Sequence, residues 1–288
     1  MEQIITKDIL ITCHDGYQLK ASVFVPNQPT RGGVMMAPAT GIKRQFYSHF
    51  ARFLCEQGYG VITFDNRGIG QSLNGSVAKS NASLQCWGEQ DLPAVLNTLQ
   101  QEFKDTHYHL VGHSAGGQLV GLMHNAQQLA SMFNVACSSG SLRNMPLPYA
   151  IKAHFFMNLV IPVSNLLVGH TKSQLFGMGE PLPRRAASQW RRWCNGQGYV
   201  KMAFGHSVKQ HWYDDLTIPA KWLYALDDDI ANKTNVEDMV SVFSKSPATI
   251  ASLCPSQLGL KEIGHMKFFS RKSQVLWPQV IQWFEQHS

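Results

Sequence analysis

The feature that most constrains this 288-residue chain is a recurring order of short, largely apolar runs and longer helical stretches. Runs at 33–37, 61–64, 108–111, 133–137, 220–225 and 248–253 have the length and composition of strands. Helical patterns cover about 44–57, 87–103, 115–129, 234–243 and 274–286. Gly33-Val34-Met35-Met36-Ala37 has no polar face, which suits a parallel strand covered on both sides. Two further β-rich runs, 9–13 and 18–25, precede the series and are joined by His14-Asp15-Gly16-Tyr17, whose Asp-Gly pair signals a hairpin. A turn over 26–31 follows. The expectation is an α/β chain: a mostly parallel sheet with an N-terminal antiparallel hairpin and helices on both faces. Such sheets bind ligands beyond the carboxyl ends of their strands, so the loops there are where chemistry is expected.

The loop after the 108–111 run is the most distinctive. Gly112-His113-Ser114-Ala115-Gly116 is a G-x-S-x-G pattern between an apolar strand and a helical stretch, the order that exposes a serine on a sharp turn. Gly112 and Gly116 leave room where a Cβ would collide with neighbouring backbone. A serine hydroxyl is a weak nucleophile at neutral pH, so Ser114 needs a general base, and the base needs a carboxylate to orient it. The loop after 220–225 supplies the one acidic cluster at a strand end, Asp227-Asp228-Asp229, and the loop after the last strand supplies His265 beside Gly264. Alone, the acids read equally as a solvated loop or helix cap, and the histidine as an ordinary loop residue. Their order, serine then acid then histidine, is what joins them.

With those residues in hand, the chain resembles the α/β-hydrolases, in particular the serine-hydrolase branch of monoacylglycerol lipase-like and S33-type proteins, and within it a bacterial group of predicted hydrolases of unassigned substrate. The resemblance covers nearly the whole length and is thinnest between 141 and 215. It implies a catalytic triad of Ser114, Asp228 and His265. Asp228 is selected by matching Asp228-Asp229-Ile230 to the family's D-x-[IV] pattern, with Asp227 the alternative. It also implies an oxyanion hole made of two backbone N–H groups, those of Ala115 and Thr40. Relatives carry H-G-x-G where this chain has Pro38-Ala39-Thr40-Gly41, a departure that leaves Thr40 as the second donor and Gly41 to keep the loop tight. Asp65-Asn66-Arg67-Gly68-Ile69-Gly70-Gln71-Ser72 resembles the family's D-x-R-G-x-G-x-S loop, in which Asp65 and Arg67 are expected to form a loop-fixing pair.

Between 141 and 215 the strand–helix rhythm lapses, and the segment reads as a helical lid inserted between a first core part (1–140) and a second (216–288). It holds nine Lys/Arg against three Asp/Glu, whereas the remaining 16 basic and 16 acidic residues balance, so the formal excess of +6 lies in the lid. Its basic face, including Arg184 and Arg191, is read either as a solvated helix surface or as a means of attracting anionic substrates or an anionic lipid surface. Phe155 and Phe156 are candidates to line an acyl pocket or to pack. The apolar stretch 147–168 is interrupted by Lys152, His154, Asn158 and Pro162, so it is expected to be a buried or cleft-facing helix and not a transmembrane segment. No recognised nucleic-acid motif accompanies the basic residues.

The first eight residues lack the apolar core of a signal peptide. The six cysteines show no C-x-x-C pair and read as buried free thiols of a reducing, cytoplasmic setting. The histidines form no metal-ligand pattern, and no metal or organic cofactor is expected. The expectation is therefore a serine hydrolase acting on a small-molecule carboxylic ester, neutral or anionic. An acyl-CoA thioesterase or an acyltransferase would use the same parts, and a non-catalytic binding module on the same scaffold is the alternative of another class.

Overall fold

The structure is a computed structural model and describes residues 4–28 and 30–288. The first three residues of the stretch read as lacking a signal peptide, and Pro29 in the 26–31 turn, lie outside the described residues. In chain order the elements are β1 (Ile5–Thr12), β2 (Gln18–Val25), β3 (Gly32–Ala37), α1 (Ser48–Glu56), β4 (Tyr59–Phe64), α2 (Leu84–Cys86), α3 (Leu92–Glu102), β5 (Tyr108–His113), α4 (Ala115–Gln118) and β6 (Ser131–Val135). There follow α5 (Leu147–Phe155), α6 (Ile161–Val168), β7 (His170–Thr171), β8 (Leu182–Pro183), α7 (Arg184–Cys194), β9 (Ala220–Ala225), α8 (Lys233–Val240), β10 (Ala248–Leu253) and α9 (Pro278–Glu285).

Eight strands form one sheet in the order β1-β2-β4-β3-β5-β6-β9-β10. β1 and β2 form the expected hairpin, β2 joins β4 antiparallel, and every later pairing in this sheet is parallel. Gly16, at φ +81°, takes the left-handed position that the hairpin turn requires. β3, β4 and β6 are buried along their whole length, as the missing polar face of Gly33–Ala37 predicts for β3. β5 lies in the middle of the sheet, so its carboxyl end opens onto the place where the other parallel strands also release their loops.

Three local expectations are corrected. The helix expected over 115–129 is only α4, followed by separate single turns. Gly121 packs so closely on Tyr213 that an added Cβ would lie 2.2 Å from the ring. The carbonyls of Gly121 and Gln118 are taken by the Trp212 N–H and the Tyr213 hydroxyl, at 2.7 and 2.6 Å, so tertiary partners replace helical ones. β6 ends at Val135: Ala136 still gives its N–H to the Leu223 carbonyl of β9, but its φ of +54° takes the chain out of the extended conformation. Asp65 and Arg67 do not pair with each other. Asp65 binds the Arg44 guanidinium at 2.9 Å, while Arg67 binds Asp91 and Asp15, each at 2.5 Å. Asp65 and Asp91 are both wholly buried carboxylates, and each holds its own arginine because an uncompensated buried charge is costly.

The segment between β6 and β9 carries α5, α6, α7 and the small β7–β8 pair. Leu147–Val168 forms one 22-residue helix, α5 and α6 joined by a π-turn at Phe156–Val160. Among the described residues it is the one helix long and apolar enough, by length and composition, to cross a membrane. The buried or cleft-facing helix expected here is corrected in part: Phe156, Met157, Ile161 and Asn165 are buried, but the opposite face is open to solvent. Among the bonds of this segment to the rest of the chain, the Glu180 N–H meets the Gly41 carbonyl at 2.8 Å and the Glu180 carboxylate meets Lys43, also at 2.8 Å.

Candidate active site

β5 delivers Ser114 onto a turn with φ +49° and ψ −115°, a strained setting for a residue with a side chain. The surroundings impose it. An added Cβ at Gly116 would lie 2.1 Å from the Ala37 carbonyl oxygen, and one at Gly112 would lie 2.6 Å from the Gly117 backbone. Glycine at both positions lets α4 start directly against the ends of β3 and β5, which turns the serine outward.

Ser114 Oγ lies 3.1 Å from His265 Nε2, and His265 Nδ1 lies 2.8 Å from Asp228 Oδ2. Sequence spacing separates these residues by 151 and 37 positions, and the sheet topology gathers them. The other Asp228 oxygen accepts the N–H groups of Ile230 at 2.9 Å and Ala231 at 3.0 Å, which fixes the carboxylate plane. Burial favours the neutral form of each partner, yet their mutual attraction outweighs it. The Asp228 carboxylate, by charge and by hydrogen bond, holds the His265 pKa above the ordinary value of 6.5. Asp228 is in turn held below the usual carboxylate range by His265 and by the two amides.

Asp227, the alternative acid, has a different role. Its two oxygens accept the N–H groups of Ile263 at 2.9 Å and Gly264 at 3.0 Å, so it straps down the loop that carries His265. Of the two neighbouring carboxylates, Asp227 therefore positions the histidine's backbone and Asp228 its ring.

A further chain of bonds has no signature in the sequence. The Ala39 N–H donates to Tyr47 Oη at 2.9 Å, Tyr47 Oη and His113 Nδ1 are 2.8 Å apart, and His113 Nε2 is 2.9 Å from the His265 carbonyl. Because a carbonyl only accepts, His113 carries its proton on Nε2, and its Nδ1 accepts from the tyrosine hydroxyl. Burial lowers the His113 pKa to about 3, so this tautomer persists without a charge. The chain links the loop after β3, the serine turn and the histidine loop. No spacing rule marks Tyr47; the polar residue inside the Gly-x-Ser-x-Gly turn is the only signal that could have pointed to it.

The loop after β3 sits against the start of α4, since Gly116 meets Ala37. Its Ala39 amide is already used by Tyr47, whereas among the described residues the Thr40 and Ala115 amides have no acceptor in the loops and turns. Gly41 turns the loop back at φ +73°. The candidates between 141 and 215 lie elsewhere. Phe156 is buried against Phe176 and Trp190, and Phe155 is on the exposed face of its helix. Arg184 and Arg191 line an open groove of about 330 Å³ between α6 and α7 whose walls hold none of Ser114, Asp228 and His265.

A central parallel sheet, a serine on a strained strand–helix turn, and a histidine and acid from later strand ends define an enzyme of the α/β-hydrolase class. More narrowly, residues 28–252 match the family described as serine aminopeptidase, S33, and the chain belongs to that family. No curated protein matches the sequence. Solved structures share the fold at low identity. A thermostable carboxyl esterase from Bacillus coagulans superposes with a TM-score of 0.66 at 12% identity, over 99% of each chain. A Pyrococcus furiosus esterase gives 0.65 at 14% identity, over 99% of this chain and 92% of its own. An esterase from Thermogutta terrifontis gives 0.59 at 14% identity, over 98% and 99%.

Proposed function

We propose that this protein is a serine hydrolase that cleaves small-molecule carboxylic esters through an acyl-enzyme. The observation that carries the reading is the unbroken line Ser114 Oγ to His265 Nε2 and His265 Nδ1 to Asp228 Oδ2, at 3.1 and 2.8 Å. In the proposed mechanism His265 takes the hydroxyl proton as Ser114 attacks the ester carbonyl. The Ala115 and Thr40 amides receive the oxyanion. The tetrahedral intermediate collapses as His265 passes the proton to the departing alcohol, leaving an acyl group on Ser114. Water, deprotonated by His265, then releases the acid and restores the serine. Asp228 orients the imidazole and stabilises the imidazolium without taking its proton. These steps are complete with the chain's own groups.

The family description names an aminopeptidase, and the lid's charges favour an ester over a peptide. Recognition of a free α-amino group calls for a carboxylate, and residues 141–215 carry three acids against nine Lys/Arg, with Glu180 paired to Lys43, Asp214 bonded by Ser244 and Asp215 paired to Lys245. We divide the chain into a core of 1–140 and 216–288 and a lid of 141–215, and assign Phe155, Phe156, Arg184 and Arg191 no part in bond breaking. The six free cysteines suit a reducing, cytoplasmic setting.

The test is a series of p-nitrophenyl esters, CoA thioesters and aminoacyl anilides, with the Ser114→Ala protein as the blank. The expected result is ester turnover that Ser114→Ala abolishes, with little hydrolysis of anilides. Preferred turnover of CoA thioesters or of anilides overturns the ester reading, and turnover unchanged in Ser114→Ala overturns the serine mechanism.

A further inference from the structure

The Leu147–Val168 helix turns an apolar stripe to solvent. Leu147, Ile151, Phe155, Leu159, Leu166 and Leu167 are between 51% and 77% exposed, although the same helix buries its other side. Residues four apart on an α-helix drift by about 40° per step, so a stripe with this spacing would wind off its face. The π-turn at Phe156–Val160 corrects the drift. One extra residue in the turn sets the phase back by about 100°, which returns Leu167, otherwise about 200° from Leu147, to the stripe's side and brings Leu166 over Leu147.

The flank of this stripe is basic. Across the 330 Å³ groove, Arg184 and Arg191 of α7 face Pro162 and Leu166, and Arg191 Nε donates to Asn158 Oδ1 at 3.1 Å. Arg185 and Arg192 continue the exposed side of α7. Among the described residues, none of the nine Lys/Arg between 141 and 215 forms an ion pair with a carboxylate. The molecule therefore leaves a contiguous apolar surface and an unneutralised positive surface side by side.

A partner must use both. A second copy of this face would bring like charges together, and a nucleic acid would leave the apolar stripe in water. An anionic bilayer takes each part: leucine and phenylalanine side chains enter the boundary between headgroups and acyl chains, and the arginines meet headgroup phosphates and carboxylates. We propose that the outer face of the Leu147–Val168 helix, together with the adjoining basic face of α7, is a docking surface for an anionic lipid bilayer. The helix lies along the membrane and does not cross it, because its inner face is committed to the lid through Phe156, Met157 and Ile161. The inference goes beyond the hydrolase reading and does not depend on it.

Co-sedimentation of the Ser114→Ala chain with vesicles of phosphatidylcholine alone, and of phosphatidylcholine with phosphatidylserine, separates the two matters, since no turnover is read. The expected result is salt-sensitive binding to the phosphatidylserine vesicles. Arg184→Glu with Arg191→Glu should lower it by about tenfold or more. Leu159→Gln with Leu167→Gln should lower it comparably. Both leucines are exposed and glutamine keeps helix propensity, so that pair, placed in the Ser114 protein, should turn over a soluble ester at the unaltered rate. Absence of binding to phosphatidylserine vesicles overturns the proposal, as does equal binding to both vesicle types. So does a concentration-dependent dimer that the leucine variant dissolves while vesicles bind nothing.

Discussion

Asp227 and Asp228 are adjacent and chemically identical, yet their replacement should read differently. Asp228→Asn leaves the geometry near His265 but loses the charge that holds the histidine's tautomer, and kcat should fall by roughly 10⁴. Because the carboxylate raises the His265 pKa, and the base must be neutral, activity in the parent should rise with pH through a value above 6.5. In Asp228→Asn that limb should move to lower pH. Asp227→Asn removes one acceptor from the Ile263 and Gly264 amides, a loss of about 1–3 kcal/mol, and should lower Tm and kcat modestly with the limb unmoved. A pH–rate profile of the three proteins checks both. At this scale the motifs singled out Ser114, Asp228 and His265, three residues that the fold brings within hydrogen-bond distance. The sequence was silent on what Asp227 and Tyr47 do, since both act through contacts to distant backbone that no local pattern encodes.

The elements were legible wherever hydrophobic pattern and burial agree. The hairpin, the strands β3, β4 and β5 and the late pair β9 and β10 stand close to where their apolar runs predict. α4 is the main failure, and the reason is tertiary: Gly121 lies in a separate 3-10 turn, Val120–Leu122, packed on Tyr213, and Trp212 and Tyr213 take the carbonyls a longer α-helix would have used. The same crowding makes the serine turn intolerant. Gly116→Ala places a methyl 2.1 Å from the Ala37 carbonyl, so α4 must move away from β3. The loss expected for such overpacking is about 1–3 kcal/mol or more, with the Ala115 amide displaced from the proposed oxyanion site. Denaturant unfolding and ester turnover should both show it, and a Gly116→Ala protein with parent stability and kcat would contradict the proposed packing.

For the whole molecule, two buried histidines tie stability to pH. His109 bonds Ser131 at 2.9 Å and stacks on Phe284, and burial lowers its pKa, like that of His113, to about 3. The unfolded chain titrates these groups near 6.5, so below that pH it binds protons the folded state refuses. Stability should therefore be fully present above about pH 6.5 and fall as pH drops toward 3. Tm measured between pH 7 and pH 4 should decline steadily, and His109→Gln should shallow the slope. A flat profile would contradict the burial of both imidazoles in their neutral form. The charge asymmetry of 141–215 was legible from composition alone; that its arginines adjoin an exposed apolar stripe was not, because it rests on the packing of α7 across the groove from α6. The central claim is that Ser114 is a nucleophile activated by His265. Its most direct measurement is intact and peptide mass spectrometry after exposure to a fluorophosphonate. The predicted result is one adduct, on the peptide holding Ser114, lost in Ser114→Ala and greatly slowed in His265→Ala. A folded protein that remains unlabelled, or a label on another residue, would contradict it.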